Sequence, residues 1–144
     1  MPSVKEIMTQ AVATIGAGAT VLEAAKLMHQ QDVGDLVVMD GGAAKGIVTE
    51  RDLVRRVIAQ RKSFDTKICE VMSNPLITIE QGCSLRDAAR KMVKYKIRRL
   101  PVTQDGKLVG ILAASDFARQ ISKKTFSETV IAAMTRYPLV DSSR

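Results

Sequence analysis

Tryptophan is absent from this 144-residue chain, histidine occurs once, cysteine twice, and aromatic residues make up 3%. Each scarcity excludes something. A lone histidine, His29, cannot build a histidine-based metal cluster, and no nucleophile stands beside it at a catalytic spacing. With so few aromatics the core has to come from Val, Ile, Leu, Met and Ala, and stacking platforms for single-stranded nucleic acid are missing. Cys69 and Cys83 lack a CxxC spacing, so they are expected to be reduced and buried in a cytoplasmic protein. No apolar run approaches the ~20 residues that cross a bilayer. The opening MPSVKEIM lacks the apolar stretch of a signal peptide. No Gly-rich loop ends in GK[ST], so ATP hydrolysis is not indicated. Neither a metal nor a required cofactor is expected, and the chain does not read as an enzyme.

What is present is an ordinary globular share of apolar residues, 46%, in a chain long enough to bury a core without staples. The formal charge is +7 and uneven: residues 1–64 carry +1, 65–120 carry +4, and the remainder +2. An anionic partner, a phosphate-bearing small molecule or a nucleic acid, suits that excess, as does a merely soluble basic surface.

The chain repeats itself. Pairing residue n with n+64 over residues 4–57 needs no gap and gives 15 identities in 54 pairs. Chance would give about three or four. Among the matches are Met8/Met72, Thr14/Thr78, Ile15/Ile79, Ala24/Ala88, Gly46/Gly110 and Asp52/Asp116. Each copy predicts a strand (Val12–Ile15, Leu76–Ile79) and a helix opened by a capping box, Thr20–Glu23 or Ser84–Asp87. The buried helix face is predicted as Val21, Ala24, Ala25 and Met28, and as Leu85, Ala88, Ala89 and Met92. A hairpin turning at Asp40-Gly-Gly42 or Asp105-Gly106 follows, then a second helix near Asp52–Gln60 or Asp116–Ser122. The copies span residues 4–60 and 68–122, joined by the polar connector Arg61–Lys67. Residues 123–144 form a tail in which Ser127 could cap a short helix carrying Val130, Ile131 and Met134.

The tandem order, the openings Met8-Thr9…Thr14-Ile15 and Met72-Ser73…Thr78-Ile79, the segment Arg98-Arg-Leu-Pro-Val102 and the corner Gly46-Ile-Val-Thr-Glu-Arg-Asp52 together resemble a cystathionine-beta-synthase (CBS) domain pair, or Bateman module. The resemblance covers about residues 4–122. It implies an α/β fold of two pseudo-twofold-related β-α-β-β-α repeats with their sheets packed together. It also implies two clefts that bind adenosine-containing ligands such as AMP, ADP, ATP or S-adenosylmethionine, further pairing into a homodimer, and regulation of an effector protein in place of catalysis.

The residues say why such a ligand would fit. A carboxylate such as Asp52 offers two acceptor oxygens to the paired hydroxyls of a ribose, and a helix start favours negative charge. Thr49 and Arg51 share that corner. The base needs an apolar slot and strand-edge backbone groups, for which Thr14, Ile15, Leu36 and Val37 are candidates in copy one and Thr78, Ile79, Leu100 and Pro101 in copy two. Thr49-x-x-Asp52 is equally a capping box. Copy two has Ala113 in place of Thr49 yet keeps Asp116, which favours a job for Asp116 beyond capping. Ser115 replaces some of the missing hydroxyl. Arg98 and Arg99 can fork onto phosphate oxygens, whereas copy one has Gly34 and Asp35 there. Lys91, Lys94 and Lys96 read as a solvated basic face.

The expectation is a stand-alone adenine-nucleotide sensor acting on a partner in trans. The alternatives are a nucleic-acid-binding module using the basic second repeat, and a ligand-free interaction scaffold.

Overall fold

The computed structural model describes residues 2–121, so the expectations for residues 122–144 lie outside the described residues. In chain order the elements are α1 (Val4–Ile7), β1 (Thr14–Gly16), α2 (Val21–Gln31), β2 (Asp35–Asp40), β3 (Ala43–Thr49) and α3 (Glu50–Asp52), which runs on as a π-helical segment over Leu53–Ile58. After a 3₁₀ turn at Ile68–Glu70 come β4 (Ile79–Glu80), α4 (Leu85–Tyr95), β5 (Arg99–Gln104), β6 (Lys107–Ala113) and α5 (Ala114–Ile121). They form two three-stranded sheets, ordered β1-β2-β3 and β4-β5-β6. In each, the first strand is parallel and the third antiparallel to the middle one.

Local chemistry sets the boundaries. Each hairpin turns on two residues in the left-handed region, Gly41 (φ 59°) and Gly42 (φ 82°), or Asp105 (φ 52°) and Gly106 (φ 81°). That is the type I′ turn whose twist matches the strands it joins. Thr20 caps α2 with the reciprocal bonds the sequence predicts. At α4 only the hydroxyl half forms, Asp87 N–H donating to Ser84 Oγ at 3.1 Å, and nothing in the structure explains the missing return bond. The second helices start earlier than Asp52 and Asp116 because those aspartates sit inside the first turn.

Pro101 explains a difference between the sheets. In β2, Val37 N–H donates to the Ala13 carbonyl at 3.0 Å, and the β1–β2 ladder begins with Thr14 opposite Val37. Pro101, the residue equivalent to Val37, has no N–H to give. The β4–β5 ladder begins one residue later, with Ile79 opposite Val102, and β4 is shorter by one residue.

The compact units do not follow the repeats. One unit is Val12–Ile77; the other joins the residues up to Ala11 to those from Thr78 onward. In the first, the core under α2 holds Val21, Ala24, Met28, Leu36, Val38, Val48 and Val57, completed by Ile68 and Val71 from the opening of the second repeat. Ile47 and Ser73 bridge there. In the second, α1 fills the same place: Val4 is fully buried and donates its N–H to the Cys83 carbonyl, and Thr9 bridges Ile111.

Two expectations are corrected. Ala25 is exposed although its equivalent Ala89 is buried; it lies about 100° round the helix from Ala24, at the margin of the apolar stripe. Cys69 is exposed and Cys83 half-buried; both are free thiols. Cys69 sits in the 3₁₀ turn, which turns Ile68 inward and its neighbour to solvent.

Candidate functional site

The first unit gathers its candidates at one end of the sheet. Asp35 opens β2 directly opposite Thr49, the last residue of β3. Glu50 N–H donates to the Gly34 carbonyl at 3.0 Å, tying the helix start to that end. Thr49 N–H donates to Asp52 Oδ2 at 2.9 Å, and Asp52 N–H donates to Thr49 Oγ1 at 3.1 Å. The capping box is therefore complete, and it consumes one carboxylate oxygen. Asp52 Oδ1 lies 3.6 Å from Arg56 Nε, and the aspartate side chain is 14% exposed. Arg56 in turn donates from Nη1 to the carbonyls of Val71 and Met72, at 3.0 and 3.3 Å. Arg51 is exposed.

Alternation along the strands sorts the slot candidates. Leu36 and Ile15 face α2, Leu36 inside that core and Ile15 packed against it. Thr14 and Val37, paired across the ladder, share the opposite face. Ile15 and Leu36 thus turn their side chains toward the core and do not face a ligand on the opposite side of the sheet.

The second unit repeats the corner with other groups. Arg99 opens β5 opposite Ala113, and Ala114 N–H donates to the Arg98 carbonyl at 2.9 Å. Ala113 N–H donates to Asp116 Oδ2 at 2.7 Å, and Arg119 donates to Asp116 Oδ1. Asp116 is 3% exposed, with both oxygens engaged inside the protein. Its retention without the threonine is accounted for by capping and pairing, so the missing hydroxyl is no argument for a further job. Arg98 and Arg99 are half-buried, and Ser115 is exposed. Ile79, Leu100 and Pro101 are buried, while Thr78 lies half-buried just outside β4.

Four residues have partners that the sequence reading did not assign. Arg56 and Arg119 follow their aspartates by four and three residues, a helical spacing that could have pointed to them. Glu50 sits against Gly34: a Cβ there would come within 2.8 Å of Glu50 Oε1. Glycine makes room for the acid, and Asp35 and Glu50 stand in the first corner where the second has Arg99 and Ala114. The fourth is Lys91. It is not part of a solvated face; its Nζ donates to the Thr78 carbonyl at 2.5 Å. Lys94 and Lys96 are exposed as expected. Among the described residues no group of His, Cys, Asp and Glu could hold a metal ion, and no helix is long and apolar enough to cross a membrane.

Comparison with known proteins agrees with this geometry. The family profile described as CBS domain matches residues 4–59 and 68–123. The CBS domain-containing protein YhcV of Bacillus subtilis is 43% identical over 118 residues, covering 82% of this chain and 84% of that protein. A CBS-domain protein from Burkholderia ambifaria superposes with a TM-score of 0.79 at 30% identity, covering 88% of this chain and 98% of the other. The CBS domain pair of protein MJ0100, solved in complex with 5′-methylthioadenosine and S-adenosyl-L-methionine, superposes with a TM-score of 0.78 at 30% identity, over 87% and 99% of the two chains.

Proposed function

Since this chain belongs to the CBS domain family, as a tandem pair of such domains, we propose that it is a non-catalytic regulatory module that binds an adenosine-containing ligand in its first unit and relays occupancy to a partner protein. The observation that carries the reading is the Asp52 carboxylate. One oxygen is fixed by the Thr49 N–H, which orients the group; among the described residues the other has only a long contact to Arg56, and on this reading it accepts from the ribose hydroxyls. Thr14, exposed on the edge strand, supplies surface for the base, while Val37 is fully buried beneath it. The complex of MJ0100 with two adenosine compounds supports the ligand class.

Charge distinguishes the two corners. Position for position, Asp35 and Glu50 stand where the second corner has Arg99 and Ala114, so phosphate suits the first corner less well and uncharged or cationic adenosine compounds suit it better. Arg98 and Arg99 make the second corner the place for phosphate. Asp52→Asn tests the assignment. The amide oxygen can still cap Thr49, while its NH₂ replaces the open acceptor. Affinity for S-adenosylmethionine or 5′-methylthioadenosine, measured by calorimetry, should fall at least about tenfold, with thermal stability nearly unchanged. Unaltered affinity in a folded variant removes Asp52 from the site.

A further inference from the structure

The first strand of each sheet is an edge strand, and its main-chain groups alternate between the sheet and the outside. In the first unit, Val37 N–H donates to the Ala13 carbonyl and Ala17 N–H donates to the Met39 carbonyl. Residues 13, 15 and 17 therefore face β2, and Thr14 turns its C=O and N–H outward. Thr14 is exposed, and Leu27, on the helix above, is apolar and packs on the core. An outward carbonyl is an acceptor. It matches an exocyclic amino group, which is what adenine carries at its 6-position.

The second unit has the same alternation: Gln81 N–H donates to the Thr103 carbonyl, which leaves Thr78 facing outward. Thr78 also stands outside the ladder that Pro101 delays. Here the helix carries Lys91 in place of Leu27, and its ammonium group binds the outward Thr78 carbonyl at 2.5 Å. An ammonium group has three N–H donors and no acceptor. With one bond made to Thr78, two donors and a positive charge stand where the first unit offers a carbonyl. The hydrogen-bonding sense of the edge is inverted. An amino group brought there meets donor with donor; a carbonyl oxygen meets a charged donor.

We propose that Lys91 sets the base specificity of the second unit, selecting a 6-oxopurine nucleotide, guanine or hypoxanthine, where the first unit takes an adenosine compound. The phosphate falls to Arg98 and Arg99 at the start of β5. This inference rests on the nucleoside-binding reading given above and deepens it.

The experiment is calorimetric titration of the full chain with AMP, IMP and GMP, and with 5′-methylthioadenosine as the probe of the first unit. It is run on the wild type, Asp52→Asn, Lys91→Met and Lys91→Arg. IMP isolates the 6-oxo group, since hypoxanthine lacks the 2-amino group of guanine. In Asp52→Asn, IMP and GMP should bind at least about tenfold tighter than AMP, the worth of one charge-assisted hydrogen bond. Lys91→Met, which keeps the apolar stem, should erase that preference and leave 5′-methylthioadenosine binding untouched; Lys91→Arg should retain it. A second unit that prefers AMP, or a preference unchanged in Lys91→Met, overturns the assignment of Lys91 while 5′-methylthioadenosine binding keeps the first-unit reading standing. Failure of all four compounds to bind the wild type overturns both. The comparison on Asp52→Asn alone decides the base preference even if Lys91→Met does not fold.

Discussion

Asp52 and Asp116 occupy the same place in the repeat and the same turn of their helices, yet their carboxylates live differently. Asp116 is buried, with the Ala113 N–H on one oxygen and Arg119 on the other. Asp52 is partly exposed, with one bond of normal length. Removing a buried carboxylate strands the donors it served, whereas removing a partly exposed cap forfeits mainly the cap. Asp116→Ala is expected to cost about 2–3 kcal/mol and Asp52→Ala about 1 kcal/mol, read from urea unfolding; equal costs would contradict the contrast. The capping at Asp52 was legible, because four residues in a row encode it. The partners of Asp116 were half legible: Arg119 stands at helical spacing, but the absent threonine suggested a lost cap when only one of its two bonds was gone. Lys91 was not legible at all. Its contact is with a residue 13 positions away, and only the packed helix brings the two together.

Elements meet where side chains vanish. A Cβ placed on Gly46 of β3 would lie 2.7 Å from both Met72 Sδ and the Ser73 carbonyl oxygen. One placed on Gly110 of β6 would lie 2.5 Å from Met8 Sδ and 2.9 Å from the Thr9 carbonyl oxygen. A thioether can swing aside; a main-chain carbonyl that is part of a bridge cannot. Gly46→Ala and Gly110→Ala should each cost about 1–3 kcal/mol by overpacking. Gly110→Ala should in addition free residues 2–11, which limited proteolysis would detect as early cleavage near Met8. A wild-type cleavage pattern would show that the strand absorbs the methyl group. The sequence marked both glycines as repeat identities without saying what they touch, since turn and close approach leave the same letter. It placed both hairpins, but the first strand of each copy came out shorter and later than its apolar run, because pairing with the middle strand, and not hydrophobicity, decides where a ladder starts.

At the scale of the molecule, each unit takes its last buried side chains from the opening of the other repeat. The 64-residue spacing hides this. An exchange made symmetrically by both copies leaves every repeat match intact, so nothing in the self-comparison betrays it. A fragment cut by repeat, 4–60, lacks Ile68 and Val71, each worth about 1.5–3 kcal/mol of burial. A fragment cut by unit, 12–77, keeps the whole core and the carbonyls that hold Arg56. Circular dichroism during heating should show a cooperative transition for 12–77 and none for 4–60. Matching melts for the two would mean that the borrowed segment adds nothing.

The borrowing also imposes an order of events during synthesis. A ribosome extrudes the amino end first, so Val4 and Thr9 leave the tunnel long before Cys83 and Ile111 exist to receive them. The body spanning Val12–Ile77 can close as soon as its own last residue emerges, while Val4 and Thr9 wait for β6 to be made. Residues 4–9 are thus translated before the body Val12–Ile77 yet reach their seat after it.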